Sequence, residues 1–274
     1  MLKNIKCGKY KLKFNRTLIM GILNVTPDSF SDGGLYIDKE KAVKRGIEMV
    51  SEGADIIDVG GESSRPGAEQ ISSTEELNRI LAVINILSKE ARVPISVDTY
   101  KPEVAYECVK AGASIINDIS GLRNEAMIKV AAKLKVPVVI MHMQGEPKNM
   151  QKNPNYRNVV KEISDFFKKQ LSLAEENGVR DIILDPGIGF GKNLEHNLAI
   201  LRNLGEFKKL GKPILVGVSR KYFLGKITGL EVDERLEATL AAVTVSVLNG
   251  ANIVRVHDVK ECKRAVMIVD AVRG

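Results

Sequence analysis

The sequence predicts a single α/β domain built as a closed (β/α)8 barrel, the TIM-barrel architecture, with a short β-hairpin in front of it. Three observations predict it. Eight short apolar runs, at 17–23, 55–59, 94–98, 114–117, 137–141, 181–184, 213–217 and 252–256, alternate with eight segments of helical period, at 39–52, 74–89, 102–111, 125–134, 156–177, 194–204, 233–249 and 259–272. The 274 residues show no linker-like shift in composition, and that length suits one barrel spanning 1–274. Chemistry also gathers at one end of the runs, whereas the opposite turns (SEGAD, EARVP, KAGAS, KLKVP, LGKP) are bland.

Taken in order, residues 1–15 read as the hairpin, with KNIKC and KLKFN flanking Gly8. The first barrel strand stops at Asn24, and the next runs close on Asp58 with Glu62, on Asp98, and on Asn117 with Asp118. The remaining four close on Met141 with His142, on Asp185, on Ser219 to Lys221, and on Arg255 with His257. Polar groups at the ends of apolar strands cost desolvation energy unless partners or a ligand satisfy them, and so many on one rim imply a site. Several helices end at glycine, as in EGAD, KAGAS, ENGVRD and LNGAN.

Composition excludes several classes. Apolar residues make up 44% of the chain, enough for a large core. Cys7, Cys108 and Cys262 are far apart and form no CxxC or Cys/His cluster, which predicts neither disulfides nor zinc and fits a reducing cytosol. The opening MLKNIKCGKYKLKF lacks the apolar core of a signal peptide, and no run approaches the ~18 residues of a membrane span. The net charge of +7 comes from lysines scattered along helices, without a basic arm interleaved with aromatics, so no nucleic-acid partner is expected. The glycine-rich DPGIGFGKN (185–193) is not a nucleotide loop: Pro186 and Asn193 break the P-loop spacing, and Lys192 falls on the last glycine of G-x-G-x-x-G. It reads as a tight turn that brings Phe190 to the rim, where a flat aromatic amine could stack.

Seven stretches carry a family resemblance: GILNVTPDSFSDGG (21–34), GGESSRPG (60–67), SVDT (96–99), INDISG (116–121), DPGIGFGK (185–192), VGVSRK (216–221) and RVHD (255–258). Together, in order and over nearly the whole chain, they resemble the dihydropteroate synthases, the pterin-binding enzymes of folate biosynthesis. The resemblance implies a transferase that joins 7,8-dihydropterin-6-ylmethyl diphosphate to p-aminobenzoate, with release of pyrophosphate. It implies a pterin pocket of Asp98, Asn117, Met141, Asp185 and Lys221, and a diphosphate cradle of Asn24, Arg65, Arg255 and His257. It places p-aminobenzoate near Ser64, Pro66, Phe190 and Lys221, and gives Asp32 and Arg65 catalytic roles on two closing loops. A cytoplasmic homodimer of the class that sulfonamides target is also implied, with the apolar helix LAAVTVSVLNGA a candidate interface.

Residue chemistry agrees with these roles. A buried Asp98 needs a cationic or donor partner, which a pterin ring or a neighbouring barrel lysine supplies. Arg255 and His257 alternate along one strand and so point the same way, as a cradle for diphosphate would require. The Asn24 amide oxygen suits a hard cation, and Mg2+ held by few protein ligands plus phosphate and water fits. The polar loops after strands one and two read as a lid that keeps water from the reacting carbon. Asp118 and Arg220 are expected to be structural, His142 an outer donor and His196 a surface residue. Lys221 could instead form an imine, as in a barrel aldolase, but the remaining motifs do not fit that chemistry. Tyr222 departs from the family, many of whose members carry a small hydroxyl residue there. Two rival readings are a pterin-binding corrinoid methyltransferase and a non-catalytic pterin-binding barrel; pyrophosphate release separates the synthase from both.

Overall fold

The computed structural model describes residues 2–26, 35–64 and 67–274 (35–38 by backbone alone). The predicted hairpin forms as β1 (Ile5–Cys7) and β2 (Tyr10–Leu12), antiparallel and turned through Gly8 at φ 57°. The barrel then runs β3 (Leu18–Asn24), α1 (Leu35–Glu52), β4 (Ile56–Gly60), α2 (Ser73–Glu90), β5 (Ile95–Asp98), α3 (Pro102–Lys110), β6 (Ile115–Asp118) and α4 (Glu125–Leu134). It continues β7 (Val138–Met141), α5 (Val159–Glu176), β8 (Ile182–Asp185), α6 (Leu194–Arg202), β9 (Leu215–Val216), α7 (Tyr222–Thr228), α8 (Leu236–Leu248), β10 (Ile253–Val256) and α9 (Val259–Arg273). The eight barrel strands are parallel in the order β8-β7-β6-β5-β4-β3-β10-β9, and a bridge between Leu184 and Ile214 joins the two ends of that series.

Two details differ from the sequence reading. Strand β9 shrinks from the expected 213–217 to two residues. Pro213 has no N–H to donate, and the Ile214 N–H turns to the Asn252 side chain, so the seam with β8 rests largely on Leu184 N donating to Pro213 O. The short α7 was not foreseen. Seven residues carry too little periodicity to detect, and Gly229, left-handed at φ 75°, ends the helix at once. Elsewhere side-chain caps set the boundaries. Asn158, for example, accepts from Lys161 N and starts α5 three residues later than the periodicity suggests.

Alternation along the strands makes two cores. Ile19, Leu23, Ile57, Val59, Ile116, Ile140 and Leu184 face the helices. Leu18, Met20, Ile56, Ile115, Val139, Ile183, Leu215 and Ile253 form a separate apolar cluster, into which the hairpin inserts Ile5, Cys7 and Leu12. The hairpin therefore plugs the amino end of the barrel. Two residues further along four of the strands the same row changes character: Ile56 gives way to Asp58, Ile115 to Asn117, Ile183 to Asp185 and Ile253 to Arg255.

Candidate active site

Asp58, fully buried in the middle of β4, organises the first half of the site. Its Oδ2 accepts from Arg255 Nε at 2.6 Å and from Asn117 Nδ2 at 2.9 Å. The same guanidinium donates through an Nη to Asp98 Oδ2 at 2.6 Å. Arg255 is thus clamped between two carboxylates, and the cation beside Asp98 is this arginine rather than a lysine. Because the Asn117 NH2 faces a carboxylate, its carbonyl oxygen is left for the pocket as an acceptor. Burial pushes the Asp98 carboxyl up to about 7 against the pull of Arg255, and Asp58 and Glu76 add to the rise.

The second half centres on two lysines, Lys192 buried and Lys221 half-buried. Lys221 Nζ stands 4.1 Å from the centroid of the Phe190 ring, and burial with help from Arg255 brings its ammonium down to about 8, against Asp185 and Asp98. Lys192 Nζ reaches His142 Nδ1 at 3.2 Å, His142 O at 3.1 Å and Phe190 O at 2.8 Å; three acceptors match the three hydrogens of an ammonium. Burial holds His142 neutral, down to about 2. The loop around Lys192 lies so close to β7's exit that a Cβ on Gly187 would stand 2.0 Å from His142 O, and one on Gly191 2.3 Å from Gln144 O. Both glycines are left-handed, at φ 68° and 60°, so the turn demands them twice over. Asp185 Oδ1 accepts from Gly187 N at 2.7 Å, which ties the pocket's third acid to this turn. Burial raises the Asp185 carboxyl, against the Gly187 N–H and Lys221. Met141 sits in an apolar cluster with Ile119, Met143 and Met150, and Tyr100 and Phe190 pack onto it.

Around the rim, Asn24 ends β3 half-buried and in register with Gly60. The His257 ring meets Ser219 Oγ at 2.9 Å. Glu62 Oε2 accepts from Lys101 Nζ and from Ile71 N, and Glu62 Oε1 accepts from Tyr100 OH; Lys101 also reaches the buried Glu76. This network fixes the root of the segment that carries Ser64, which lines a narrow cleft of about 10 Å³ with Glu62, Asp98 and Tyr100. Asp32, Arg65 and Pro66 lie outside the described residues, as do the other lid positions at 27–34.

Two residues expected to be scaffold are scaffold. Asp118 is structural, accepting from Ser120 N and Leu122 N at 2.8 Å each. Arg220 pairs with Asp258 through two nitrogens, at 3.1 and 2.5 Å. It also holds a left-handed backbone at φ 56°, braced by Thr239 Oγ1 on its N–H and by Arg235 on its carbonyl. Strain held this firmly is where Lys221 is aimed. His196 is not a surface residue: it is half-buried, and it closes the α6 capping box by accepting from Asn193 N. Tyr222 is 70% exposed and lies by Lys226, so its phenol is not enclosed in the site. Asp58, Lys192 and Lys101 are the members that sequence reasoning missed or left without a role. Asp58 alone left a signal, an acid inside the apolar run IIDVG on the same strand face as Gly60.

Comparison with known proteins follows the same geography. Residues 20–257 match the family described as pterin binding enzyme. The chain is 48% identical over 255 residues to the dihydropteroate synthase of Escherichia coli K12, a match covering 92% of this chain and 90% of the relative. Among solved structures, Xanthomonas albilineans dihydropteroate synthase with 4-aminobenzoic acid superposes with a TM-score of 0.95 at 41% identity, covering 100% of this chain and 99% of that one. The same enzyme in complex with 7,8-dihydropteroate gives 0.91 at 39% identity, with 99% of each chain covered.

Proposed function

The chain belongs to the pterin binding enzyme family and has dihydropteroate synthase activity, and from that premise we propose how its residues divide the reaction between them. The reaction condenses 7,8-dihydropterin-6-ylmethyl diphosphate with p-aminobenzoate to give 7,8-dihydropteroate and pyrophosphate. The observation that carries the assignment is the inward row of Asp98, Asn117, Asp185 and Lys221 joined in one charged cluster at the carboxyl end of the strands.

In this reading Asp98 and Asp185 accept the pterin's ring and amino hydrogens, Asn117 offers its carbonyl oxygen, and Lys221 donates to the pterin carbonyl. Met141 packs on the ring face. The bond from the exocyclic methylene to the diphosphate oxygen breaks with both electrons leaving on oxygen, and positive charge spreads over the pterin between the two acids. Arg255 is held at the boundary between pterin and diphosphate by Asp58 and Asp98, and it supports the leaving group with Asn24, His257 and Arg65. The arylamine, placed by Phe190, Lys221, Ser64 and Pro66, then attacks the methylene, and its nitrogen gives up a proton to solvent. Asp32 and Arg65 act from the loops that exclude water.

Mg2+ completes the proposed diphosphate site. Among the described residues no three His, Cys, Asp or Glu side chains converge as an ion cage, and Asn24 offers a single hard oxygen; that donor set suits an ion arriving on diphosphate. Bound there, Mg2+ would neutralise charge on the departing oxygens. Chelation is expected to abolish turnover, and Asn24→Ala to raise the Mg2+ concentration needed for half-maximal rate.

We place the reaction in the cytosol, in keeping with three free, buried thiols, and in a homodimer formed through exposed Val245 and Leu248 of α8 and Met267, Ile268 and Val272 of α9. Sedimentation would measure the dimer. No helix among the described residues is long and apolar enough to cross a membrane. The deciding assay follows pyrophosphate and dihydropteroate from the purified chain, both substrates and Mg2+. Folded Asp98→Asn and Lys221→Ala variants should lose both products. Full turnover by either variant would refute the pterin roles of Asp98 and Lys221.

A further inference from the structure

Ser219 and His257 make two contacts through one oxygen. His257 Nδ1 lies 2.9 Å from Ser219 Oγ, and the backbone N–H of His257 donates to the same Oγ at 3.2 Å. Ser219 is buried. A hydroxyl has one hydrogen and two lone pairs, and the backbone N–H, which can only donate, takes one of those lone pairs. The hydroxyl hydrogen then needs an acceptor, and the acceptor these contacts offer it is the lone pair on Nδ1. A hydrogen on Nδ1 would leave the hydroxyl hydrogen stranded in a buried place, at the cost of a lost hydrogen bond. Burial, with Arg255 and Arg220 adding to it, holds the ring down to about 3, so it is a neutral imidazole near pH 7.

We propose that Ser219 is a positioning residue that sets the tautomer of His257, its hydroxyl donating to Nδ1 so that the ring carries its hydrogen on Nε2 and presents a donor to the leaving diphosphate. The opposite tautomer would turn a lone pair on phosphate oxygens and repel them. The proposal rests on the reading of His257 as a diphosphate contact. No proton moves: the serine fixes beforehand where the hydrogen stands. Its own place is secured by the neighbouring turn, because Arg220 is locked at φ 56° by Asp258 and Thr239. One strained residue therefore aims Lys221 on one side and Ser219 on the other.

The test uses the full chain labelled with 15N-histidine and long-range 1H–15N correlation spectra at pH 7. The His257 signals are those missing from His257→Asn. The wild type should show the Nε2–H pattern, Ser219→Ala a shift toward Nδ1–H, and Ser219→Thr, which keeps the hydroxyl, the wild-type pattern. In parallel, Ser219→Ala should raise KM for the pterin diphosphate roughly tenfold, while the Kd of a pterin lacking diphosphate changes by less than about twofold and Ser219→Thr recovers the loss. An Nδ1–H pattern in the wild type, or an unchanged pattern in Ser219→Ala, overturns the proposal. So does a shifted tautomer with no change in KM. If His257→Asn itself leaves that KM unaltered, the diphosphate reading of His257 falls, and the spectra still decide separately whether Ser219 holds the ring.

Discussion

The barrel has an arginine–aspartate pair at each end, and they differ in almost everything except chemistry. At the amino end Arg16 reaches Asp55 through two nitrogens, with the arginine 44% and the aspartate 17% exposed. At the carboxyl end Arg255 meets Asp58 with the two side chains 19% and 0% exposed, and it shares its guanidinium with Asp98. Water screens the first pair and hardly reaches the second. The same contrast runs through the strands, which begin inward on leucine, isoleucine and valine under the hairpin and finish inward on acids, amides and cations. Desolvated charge is tolerated at one end because each group there has partners, and a substrate to add another. The plugged end supplies burial, and the open end uses it.

That contrast can be broken deliberately. Asp58→Ala should cost about 3 kcal/mol in denaturant unfolding, because it leaves Arg255 with Asp98 as its one remaining carboxylate and takes the acceptor from the buried Asn117 NH2, and should also lower kcat/KM by releasing both side chains. Stability within error of the wild type would mean that Arg255 is better hydrated than its surroundings suggest. Asp98→Asn keeps the shape and removes the charge: kcat/KM should fall about 10²–10³-fold with little change in melting temperature. Leu12→Ala at the plugged end should do the reverse, costing about 2–4 kcal/mol while kcat/KM at low temperature stays within about twofold. A large loss of turnover there would show that the two ends are coupled.

The pH profile sharpens the comparison further. Asp98 must be ionised to accept pterin hydrogens, so kcat/KM should rise with pH through about 7; Lys221 must be protonated to donate, so it should fall above about 8. The result is a narrow bell, and Asp98→Asn should remove its acid limb. A flat rate from pH 5 to 9 would contradict both protonation assignments. Arg16→Ala should have the smallest effect, about 0.5–1 kcal/mol, shrinking further in high salt.

What the sequence disclosed follows from what leaves a local trace. Short apolar runs and the 3.6-residue period between them placed the barrel strands and most of their helices to within a few residues, and Asp98, Asn117 and Asp185 stood out because each ends an apolar run. Arg255 and Asp58, by contrast, lie 197 positions apart, and no local pattern announces such a pair. The role of Lys192 depends on two backbone carbonyls and one imidazole, partners that leave no compositional mark. Strand β9 came out short because Pro213 removes a donor, and α7 went unseen because seven residues give no period. The resemblance supplied the roles of Asp32, Arg65 and Pro66, and no described geometry bears on them.

The pairing of β3 with β10 also governs when this protein can be assembled. Leu18 sits in register with Ile253, and both Thr17 N and Thr17 Oγ1 donate to Asp270 in the last helix. During synthesis the hairpin and first strand therefore emerge long before their lateral neighbour exists. Until then the outer edge of β3 is a row of open amides and carbonyls, the kind of edge on which growing chains adhere to one another. A nascent chain stalled before β10 would carry its plug on an open, sticky sheet, which marks truncated products for chaperones and proteases and makes β10 and α9 together the latch of β3.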